Sequence, residues 1–371
     1  MAGERGPSIL MTADTVGGVW TYSVELSRAL AARGLRVHLA TMGAPLQAHQ
    51  REMLGGAAGI ELHESGFALE WMADPWREVD AAGEWLLRLE AQLRPALVHL
   101  NQFAFGALPF LAPRLVVGHS CVLSWWRAVH GGDAPAEWNR YRERVTAGLR
   151  GADLVAAPTP SMLRSLQELY GVEGIVLPNG RDPAQLRPAA KRPFVFAAGR
   201  FWDEAKNLAA LQAVAPQLPW QVCVAGSCTG PDGRQLHPTG VQSLGPLPAS
   251  QVARQMAQAS IYALPARYEP FGLSALEAGL AGCALVLGDI PSLREVWGPA
   301  AAYVPPDDHQ ALRATLQRLI ARPDERSRLA DAAHQRAQRF SADAMAEAWL
   351  SACSRLAPAL AARTLEEASC A

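Results

Sequence analysis

Lysine is nearly missing from this sequence. Of the 34 basic residues in a chain of 371, only Lys191 and Lys206 are lysines, and the formal net charge is −1. No basic tract occurs, and no basic patch is interleaved with aromatic residues. The sequence therefore lacks the charge pattern of a nucleic-acid-binding protein, and no nucleic-acid partner is expected.

Paired cysteines and long apolar runs are missing as well. The six cysteines form no Cys-x-x-Cys pair and have no metal-binding spacing with histidine, so we predict neither a disulfide framework nor a metal site. No signal peptide and no apolar run of about 18 residues is present. These absences predict a cytoplasmic protein with free thiols and no metal cofactor.

Short apolar strands alternate with amphipathic helices along both halves of the chain. Such alternation predicts right-handed β-α-β units and parallel sheets, hence an α/β fold with two doubly wound domains. Ligands of such folds bind beyond the carboxyl ends of the strands, and we expect them in a cleft where two sets of strand ends face each other. The predicted strands are residues 8–11, 36–41, 60–63, 96–100, 115–118, 154–157 and 175–177, then 194–198, 221–225, 241–244, 261–264, 284–287 and 302–304.

A proline-bearing segment separates the two halves. Asn179-Gly180 is a turn signal, and the prolines that follow it predict a linker with little secondary structure. We therefore predict a first domain over residues 1–180, a linker over 181–193, a second domain over 194–340, and a helix with a tail over 341–371. The tail after residue 361 is expected to be frayed.

Two glutamates flank a glycine turn in the second half, within Arg267-Tyr-Glu-Pro-Phe-Gly-Leu-Ser-Ala-Leu-Glu277. Gly272, Leu273 and Ser274 would present backbone N–H groups at a helix N-terminus, which suits a phosphate. A carboxylate near a phosphate is repelled unless it accepts hydrogen bonds from hydroxyl groups. Glu269 and Glu277 therefore indicate a nucleotide-sugar site, with a capped amphipathic helix as the alternative.

Two further junctions suit a phosphate. Gly17 and Gly18 lie between a predicted strand and a predicted helix, where the backbone can approach a ligand closely, although an ordinary loop is the alternative. The dinucleotide fingerprint Gly-x-Gly-x-x-Gly is absent there. Arg200 and Lys206 lie in the loop after the strand 194–198. Because nearly every other basic residue is an arginine, Lys206 indicates a need for a compact ammonium group on a pyrophosphate. Chance placement of the lysine is the alternative.

Taken in order, these segments resemble those of the retaining nucleotide-sugar glycosyltransferases of the glycogen synthase and phosphatidylinositol mannosyltransferase type, which are family 4-like and have the GT-B fold. The resemblance runs from about Ser8 to about Leu356. It implies two Rossmann-like domains, with the last helix, about 342–356, crossing back onto the first. It also implies a donor diphosphate covered by Gly17 and Gly18 and held by Arg200 and Lys206, with His119 beside the transferred sugar, Glu269 on the sugar hydroxyls and Glu277 on the ribose.

The resemblance further implies a mechanism. These enzymes use same-face substitution, in which the leaving diphosphate helps to take the proton of the acceptor, so no protein nucleophile and no metal are expected. The donor would be a UDP-sugar or GDP-sugar, and the acceptor a carbohydrate, a lipid or a small molecule. The family often has His-x-His where this chain has His99-Leu100-Asn101.

Tryptophan is concentrated in the first part of the chain, where seven of the 11 precede residue 150. Most are expected to pack in the core, but tryptophan also stacks on the faces of sugars. The candidate acceptor contacts are those in loop-like sequence after predicted strands, together with the asparagine of the altered histidine motif. These are Trp71, Trp76, Trp125, Trp126 and Asn101.

Other functions remain open at this point. A nucleotide-sugar epimerase of the same architecture would need no acceptor, and a non-catalytic binding protein would keep the cleft without transfer. The basic helical segment 139–150 leaves peripheral membrane contact open, although a solvated helix face explains it equally. Glu295, in the segment Asp289-Ile-Pro-Ser-Leu-Arg-Glu295, is predicted to be a carboxylate at a helix start rather than a catalyst.

Overall fold

Two parallel β-sheets with flanking helices form the two halves of the protein. The computed structural model describes residues 6–231 and 233–360. Within these, a first unit comprises residues 6–124, 133–180 and 342–360, and a second comprises 125–132 and 181–341, with residue 232 not described. The predicted tail after residue 361 lies outside the described residues.

The first unit is a seven-stranded sheet in which every neighbouring pair is parallel. Its strand order is β3-β2-β1-β4-β5-β6-β7. All seven residues of the interior strand β1 are buried, as expected for a parallel strand covered on both faces. The strands are β1 Ser8–Asp14, β2 Arg36–Met42, β3 Ile60–Glu64, β4 Leu97–Leu100, β5 Arg114–Val117, β6 Leu154–Ala157 and β7 Ile175–Val176. The helices of the first unit are α1 Gly18–Ala31, α2 Ala48–Leu54, α3 Trp76–Leu93, α5 Asn139–Gly151 and α6 Pro160–Tyr170. Helix α4, Val122–His130, begins in the first unit, and its residues from Trp125 onward belong to the second.

The second unit contains a six-stranded parallel sheet of order β10-β9-β8-β11-β12-β13. Its strands are β8 Arg192–Ala198, β9 Gln221–Ala225, β10 Gln242–Ser243, β11 Ala259–Leu264, β12 Ala284–Gly288 and β13 Ala302–Val304. Its helices are α7 Leu208–Val214, α8 Ala249–Gln258, α9 Leu273–Leu280, α10 Pro291–Trp297, α11 His309–Ala321 and α12 Pro323–Ala337. The chain ends its described part in the first unit with α13 Ala342–Cys353, which packs against α1.

The predicted fold class of two doubly wound parallel-sheet domains is confirmed. Most strand limits agree with the prediction within one or two residues, and the helix over 309–321 agrees at both ends. The strand predicted over 241–244 keeps only Gln242–Ser243, because this edge segment is exposed and pairs on one side only. The final helix ends at Cys353, three residues earlier than expected.

Three tryptophans expected in loops lie on helices instead. Trp76 is the first residue of α3, and Trp125 and Trp126 lie within α4. Trp76 is buried, and the guanidinium of Arg144 lies 5.2 Å from its ring centroid. Its place among the core residues favours a packing role, and the acceptor contact at Trp76 stays a prediction.

Several smaller predictions can also be compared with the structure. Glu295 lies near the end of α10, which begins at Pro291, so it is not at a helix start; a proline in the first turn marks the start instead. The cysteines of the described part form no disulfide. The basic segment forms α5, which buries Tyr141, Val145 and Leu149. Among the described residues, no helix is long and apolar enough to cross a membrane.

Candidate active site

Strand order in the second unit brings two predicted segments to the same place. β8 and β11 are neighbours, yet the chain leaves them toward opposite sides of the sheet, to β9 and β12. Such a switch point opens a crevice beyond the carboxyl ends of the two strands. The loop with Arg200 and Lys206 follows β8, and the turn with Glu269 and Gly272 follows β11. Both predicted phosphate-binding segments therefore border this crevice.

Lys206, Glu269 and Gly272 form one connected cluster. Lys206 Nζ lies 2.5 Å from Glu269 Oε2, and the two side chains are 14% and 13% exposed. The other carboxylate oxygen, Oε1, accepts a hydrogen bond of 3.0 Å from the Gly272 N–H. Gly272 has φ of +90°, a conformation that favours glycine, and Ser292 Oγ fixes the Glu269 carbonyl at 2.6 Å. The cluster joins a cation, a carboxylate and a helix N-terminus.

The first turn of α9 has backbone N–H groups that are available to a ligand. The Gly272 N–H is used by Glu269, and intrahelical bonding begins when Leu276 N–H donates to the Gly272 carbonyl. No acceptor from residues 6–231 or 233–360 is found for the N–H groups of Leu273 and Ser274. These are the orphan amides of a helix N-terminus, which favour an anion.

Arg200 pairs with an aspartate of its own loop. Its guanidinium lies 3.7 Å from Asp203 Oδ2, and Arg200 also covers the ring of Trp202 at 5.4 Å. Asp203 Oδ1 accepts hydrogen bonds from Ala205 N at 3.0 Å and from Trp125 Nε1 at 2.9 Å. Trp125 belongs to the second unit. Its indole N–H therefore supports the short 3-10 turn that ends at Lys206.

Glu277 has a cationic partner that the sequence did not suggest. Arg181 Nε lies 3.0 Å from Glu277 Oε1, and the side chains are 7% and 17% exposed. Arg181 was predicted only as the start of a linker. Its backbone N–H donates to the Phe340 carbonyl, which fixes the start of the second unit beside α9. Glu277 is thus a charged group held in a defined position one turn into α9.

The glycine pair of the first unit lies at a helix N-terminus, as predicted. Gly17 has φ of +85° and ψ of −146°, a region open essentially to glycine alone, and Gly18 begins α1. Both residues are exposed. Just before them, Asp14 Oδ1 accepts from Val16 N at 2.6 Å and Oδ2 from Trp71 Nε1 at 3.3 Å. Trp71 therefore lies at the end of β1, partly exposed, beside the glycine pair.

His119 and Asn101 are neighbours in the first unit. Asn101 follows β4, His119 follows β5, and His119 Nε2 lies 2.8 Å from Asn101 Oδ1. His99 Nε2 reaches the same oxygen at 3.1 Å, and Trp349 of α13 donates from Nε1 to His99 Nδ1 at 2.9 Å. Asn101 Nδ2 donates to the Thr12 carbonyl at 2.6 Å. One chain of hydrogen bonds therefore runs from Trp349 to His119.

These hydrogen bonds determine which ring nitrogen of each histidine carries the proton. The indole N–H can only donate, so His99 Nδ1 accepts and its proton is on Nε2, which donates to Asn101 Oδ1. Asn101 Oδ1 also accepts a hydrogen bond from the Nε2–H group of His119. Nδ1 of His119 therefore carries no proton and can accept a hydrogen bond. Burial lowers the pKa of His99 to about 4, and burial, together with the neighbouring His99, lowers the pKa of His119 to about 3. Both rings are neutral at neutral pH.

Trp126 contacts other aromatic side chains. Its ring centroid lies 4.4 Å from that of His130 and 6.1 Å from that of Trp125. It is only partly exposed, and it is grouped with the second unit. Trp126 therefore packs against aromatic neighbours of its own helix, α4.

Comparisons with known proteins agree with this architecture. The model for Glycosyltransferase Family 4 matches residues 16–185, and the model for Glycosyl transferases group 1 matches residues 179–336. A D-inositol 3-phosphate glycosyltransferase of Thermomonospora curvata is 28% identical, with 88% of each chain covered. A glycogen synthase of Mycobacterium tuberculosis is 29% identical, with 86% of each chain covered.

Solved structures show the same fold. A sucrose-phosphate synthase from Thermosynechococcus elongatus superposes with a TM-score of 0.80 at 20% identity, covering 94% of this chain and 99% of that one. The Anabaena protein HepE, solved in complex with UDP-glucose, gives 0.74 at 16% identity, covering 94% and 100%. The epimerase alternative gains no support from these matches. The chain belongs to the glycosyltransferases of the family 4 and group 1 type, with the GT-B fold.

Proposed function

We propose that the protein is a retaining hexosyltransferase that moves a sugar from a nucleoside diphosphate sugar to a hydroxyl group of a carbohydrate, a lipid or a small molecule. The observation that carries the donor class is the cluster of Lys206, Glu269 and the α9 N-terminus at the switch point of the second sheet. It offers an ammonium and two amides to a diphosphate, and a carboxylate to sugar hydroxyls. A UDP-sugar or a GDP-sugar is the proposed donor.

The proposed reaction is a substitution on the same face of the sugar. The bond between the anomeric carbon and the diphosphate oxygen breaks, the acceptor oxygen bonds to that carbon, and the acceptor proton passes to the leaving diphosphate. Lys206, Arg200 and the amides of Leu273 and Ser274 stabilise the charge that grows on the diphosphate. Such preorganised donors typically contribute about 10²–10³-fold each in rate, so the proposal needs neither a protein nucleophile nor a metal.

The two glutamates have separate roles in this proposal. Glu269 holds the transferred sugar through its hydroxyls, because its carboxylate is fixed beside Lys206 and the helix N-terminus. Glu277 holds the ribose, and its pairing with Arg181 at 3.0 Å orients its carboxylate. Gly17 and Gly18 cover the diphosphate.

The first unit supplies proposed contacts to the transferred sugar and to the acceptor. The neutral His119 ring accepts a hydrogen bond on Nδ1 from a hydroxyl of the transferred sugar, and Asn101 orients that ring. The tryptophan that remains best suited to an acceptor contact is Trp71, since its ring is partly exposed beside the glycine pair.

The proposed location of the protein is the cytoplasm. The thiols of the described part form no disulfide, which suits that location.

A direct test combines binding and turnover. Melting temperature and calorimetry are measured with UDP, GDP and ADP and their glucose and mannose conjugates, because a ligand of the native state raises apparent stability. Diphosphate release is then followed with inositol phosphates, glucans and lipid acceptors, with and without EDTA, and NMR gives the anomeric configuration of the product. No heat and no melting shift with any saturating nucleotide would overturn the donor site, and an inverted product would overturn the mechanism.

A further inference from the structure

Three side chains that the transfer reaction does not use converge on one point of the first sheet. In the parallel pair of β2 and β3, His38 lies opposite Glu61, and Ala40 lies opposite His63. Side chains two residues apart on a strand share a face, so His38, Glu61 and His63 project from the same side of the sheet. The sequence gives no sign of this, because the histidines are 25 residues apart and only the register joins them.

The ligand atoms have the spacing of a metal site. His63 Nε2 lies 3.3 Å from His38 Nδ1, His38 Nδ1 lies 3.1 Å from Glu61 Oε2, and His63 Nε2 lies 3.7 Å from Glu61 Oε1. Around a tetrahedral zinc ion with bonds of about 2.0–2.1 Å, neighbouring ligand atoms are about 3.3 Å apart. The two ring nitrogens and the Glu61 carboxylate therefore fit around one ion with little movement of the rings.

Hydrogen bonds alone do not satisfy these three side chains well. If His38 Nδ1 carries a proton and donates it to Glu61 in a hydrogen bond, it cannot also accept a hydrogen bond from His63. If it accepts from His63, its lone pair faces a carboxylate at 3.1 Å. Nε2 of His38 is buried and has no hydrogen-bond partner among the described residues, so the ring has no other polar contact to compensate. A cation at the centre is the partner that all three groups share.

Burial and charge also suit a cation. The His38 and His63 side chains are 4% and 18% exposed, whereas Glu61 is 62% exposed and leaves a path from solvent. The nearby Arg36 is directed to the Gly6 carbonyl, where its Nε donates at 3.2 Å.

We propose that His38, Glu61 and His63 bind a divalent transition-metal ion of the zinc class. Two imidazoles and one carboxylate match the ligands that zinc takes, and water completes the coordination. β3 is the edge strand of the sheet, and the ion ties it to β2 through side chains as well as through the ladder. The site is structural and lies in the first unit, whereas the proposed diphosphate ligands Lys206, Leu273 and Ser274 lie in the second.

The test uses the full-length chain without a histidine tag, since a tag would bind the probe. The protein is dialysed against Zn²⁺, and bound zinc is counted by elemental analysis in the wild type, His63→Gln and Glu61→Gln. His309→Gln is the matched control, because His309 is exposed at the start of α11 and lies outside the cluster. Melting temperatures are recorded with and without Zn²⁺, and Co²⁺ is used as a spectroscopic probe.

We expect one zinc ion per chain in the wild type and in His309→Gln, and none above background in His63→Gln. Zn²⁺ should raise the melting temperature of the first two proteins by several degrees and leave that of His63→Gln unchanged. Co²⁺ should give the absorption of a four-coordinate site only where zinc binds. Equal zinc content in the wild type and His63→Gln, or none in the wild type, would overturn the proposal. His63→Gln and Glu61→Gln both keep a polar side chain on the edge strand β3. Loss of folding in either variant would show directly in the melting curve recorded without zinc.

Discussion

At the scale of single residues, the contacts of Lys206 explain why a lysine is kept in a chain that otherwise uses arginine. Nζ lies 2.5 Å from Glu269 Oε2, and the Lys206 side chain is only 14% exposed, so its charged end is held in one place. An ammonium is a compact point charge, whereas a guanidinium is a larger planar group that would have to bind the same carboxylate in a different geometry. The other lysine, Lys191, donates to the Ala281 carbonyl at 2.6 Å and to the Met256 carbonyl at 3.3 Å, which is a structural role at two helix ends.

We therefore expect Lys206→Arg to lose transfer activity although the charge is kept. The loss should be about 10²-fold or more, the typical effect of removing one transition-state donor. Lys191→Arg is the matched control, and its activity per folded molecule should stay near that of the wild type. Initial rates and nucleotide calorimetry on both variants give the answer. A fully active Lys206→Arg enzyme would show that the lysine was placed by chance.

The two glutamates should respond differently to the same change. In Glu269→Gln the amide oxygen can still accept from the Gly272 N–H, but Lys206 loses its anionic partner. We expect turnover to fall about 10²-fold or more while affinity for the free nucleoside diphosphate is kept or raised, because the released ammonium can bind the diphosphate.

In Glu277→Gln the charge that pairs with Arg181 is removed. We expect the nucleoside diphosphate itself to bind more weakly by about 1.5–3 kcal/mol, the usual worth of a hydrogen bond to a charged group. Calorimetry with UDP and GDP and steady-state kinetics with the full donor separate the two variants. Equal losses of nucleotide affinity would mean that both residues act through the fold of the turn, contrary to the proposed roles.

At the scale of elements, Glu70 holds the segment after β4. This buried carboxylate accepts from Phe103 N at 3.0 Å and from Ala104 N at 2.9 Å, directly after Asn101. Burial raises the pKa of Glu70 from 4.5 to about 7, against the opposing effect of the two amides. Between these values the folded protein holds a proton that the unfolded chain has lost. Stability from this group is therefore present at low pH and is lost as the pH rises to about 7.

We expect the free energy of unfolding to fall by up to about 1.4 kcal/mol per pH unit from this residue within that window. Glu70→Gln should abolish this part of the pH dependence and also cost about 1–3 kcal/mol, since its amide NH₂ group leaves one backbone donor unpaired. Urea unfolding of both proteins at about pH 5 and about pH 8 measures the difference. Parallel pH profiles for the two proteins would contradict the assignment.

The elements were largely predictable because buried parallel strands read as apolar runs between helix patterns. β11 and β12 are examples, since every residue of both is buried. α4 was missed at Trp125 and Trp126, because two adjacent tryptophans after a glycine-histidine segment do not show a helical period. For the 3-10 turn that carries Lys206 the sequence predicts only a loop.

Contacts that depend on tertiary structure could not be predicted. Trp349 and His99 are 250 residues apart, and only the packing of α13 in the first unit joins them. Arg181 looked like a linker residue, and its pairing with Glu277 depends on where the second unit begins. The grouping of His38 with Glu61 and His63 depends on strand register, which the sequence does not state.

At the scale of the whole molecule, ligand and metal should protect different parts of the chain from hydrogen exchange. The N–H groups of Leu273 and Ser274 have no acceptor among the described residues, so they should exchange quickly without a ligand. A bound diphosphate accepts their hydrogen bonds, and we expect saturating UDP or GDP to slow their exchange and that of the loop over residues 199–207. The Gly272 N–H should change less, because Glu269 already accepts from it at 3.0 Å.

Zn²⁺ should give the complementary pattern. The ion ties an edge strand to its neighbour, so protection should rise along β2 and β3 and remain unchanged at Leu273 and Ser274, because local opening of an edge strand is what the ion opposes. Exchange resolved by peptide or by amide, with each ligand alone and with both, measures this. If the nucleotide protected β2 and β3 instead of the α9 N-terminus, the donor would not bind where the second unit offers its cations and its amides, and the assignment of Lys206 and Glu269 would fail with it.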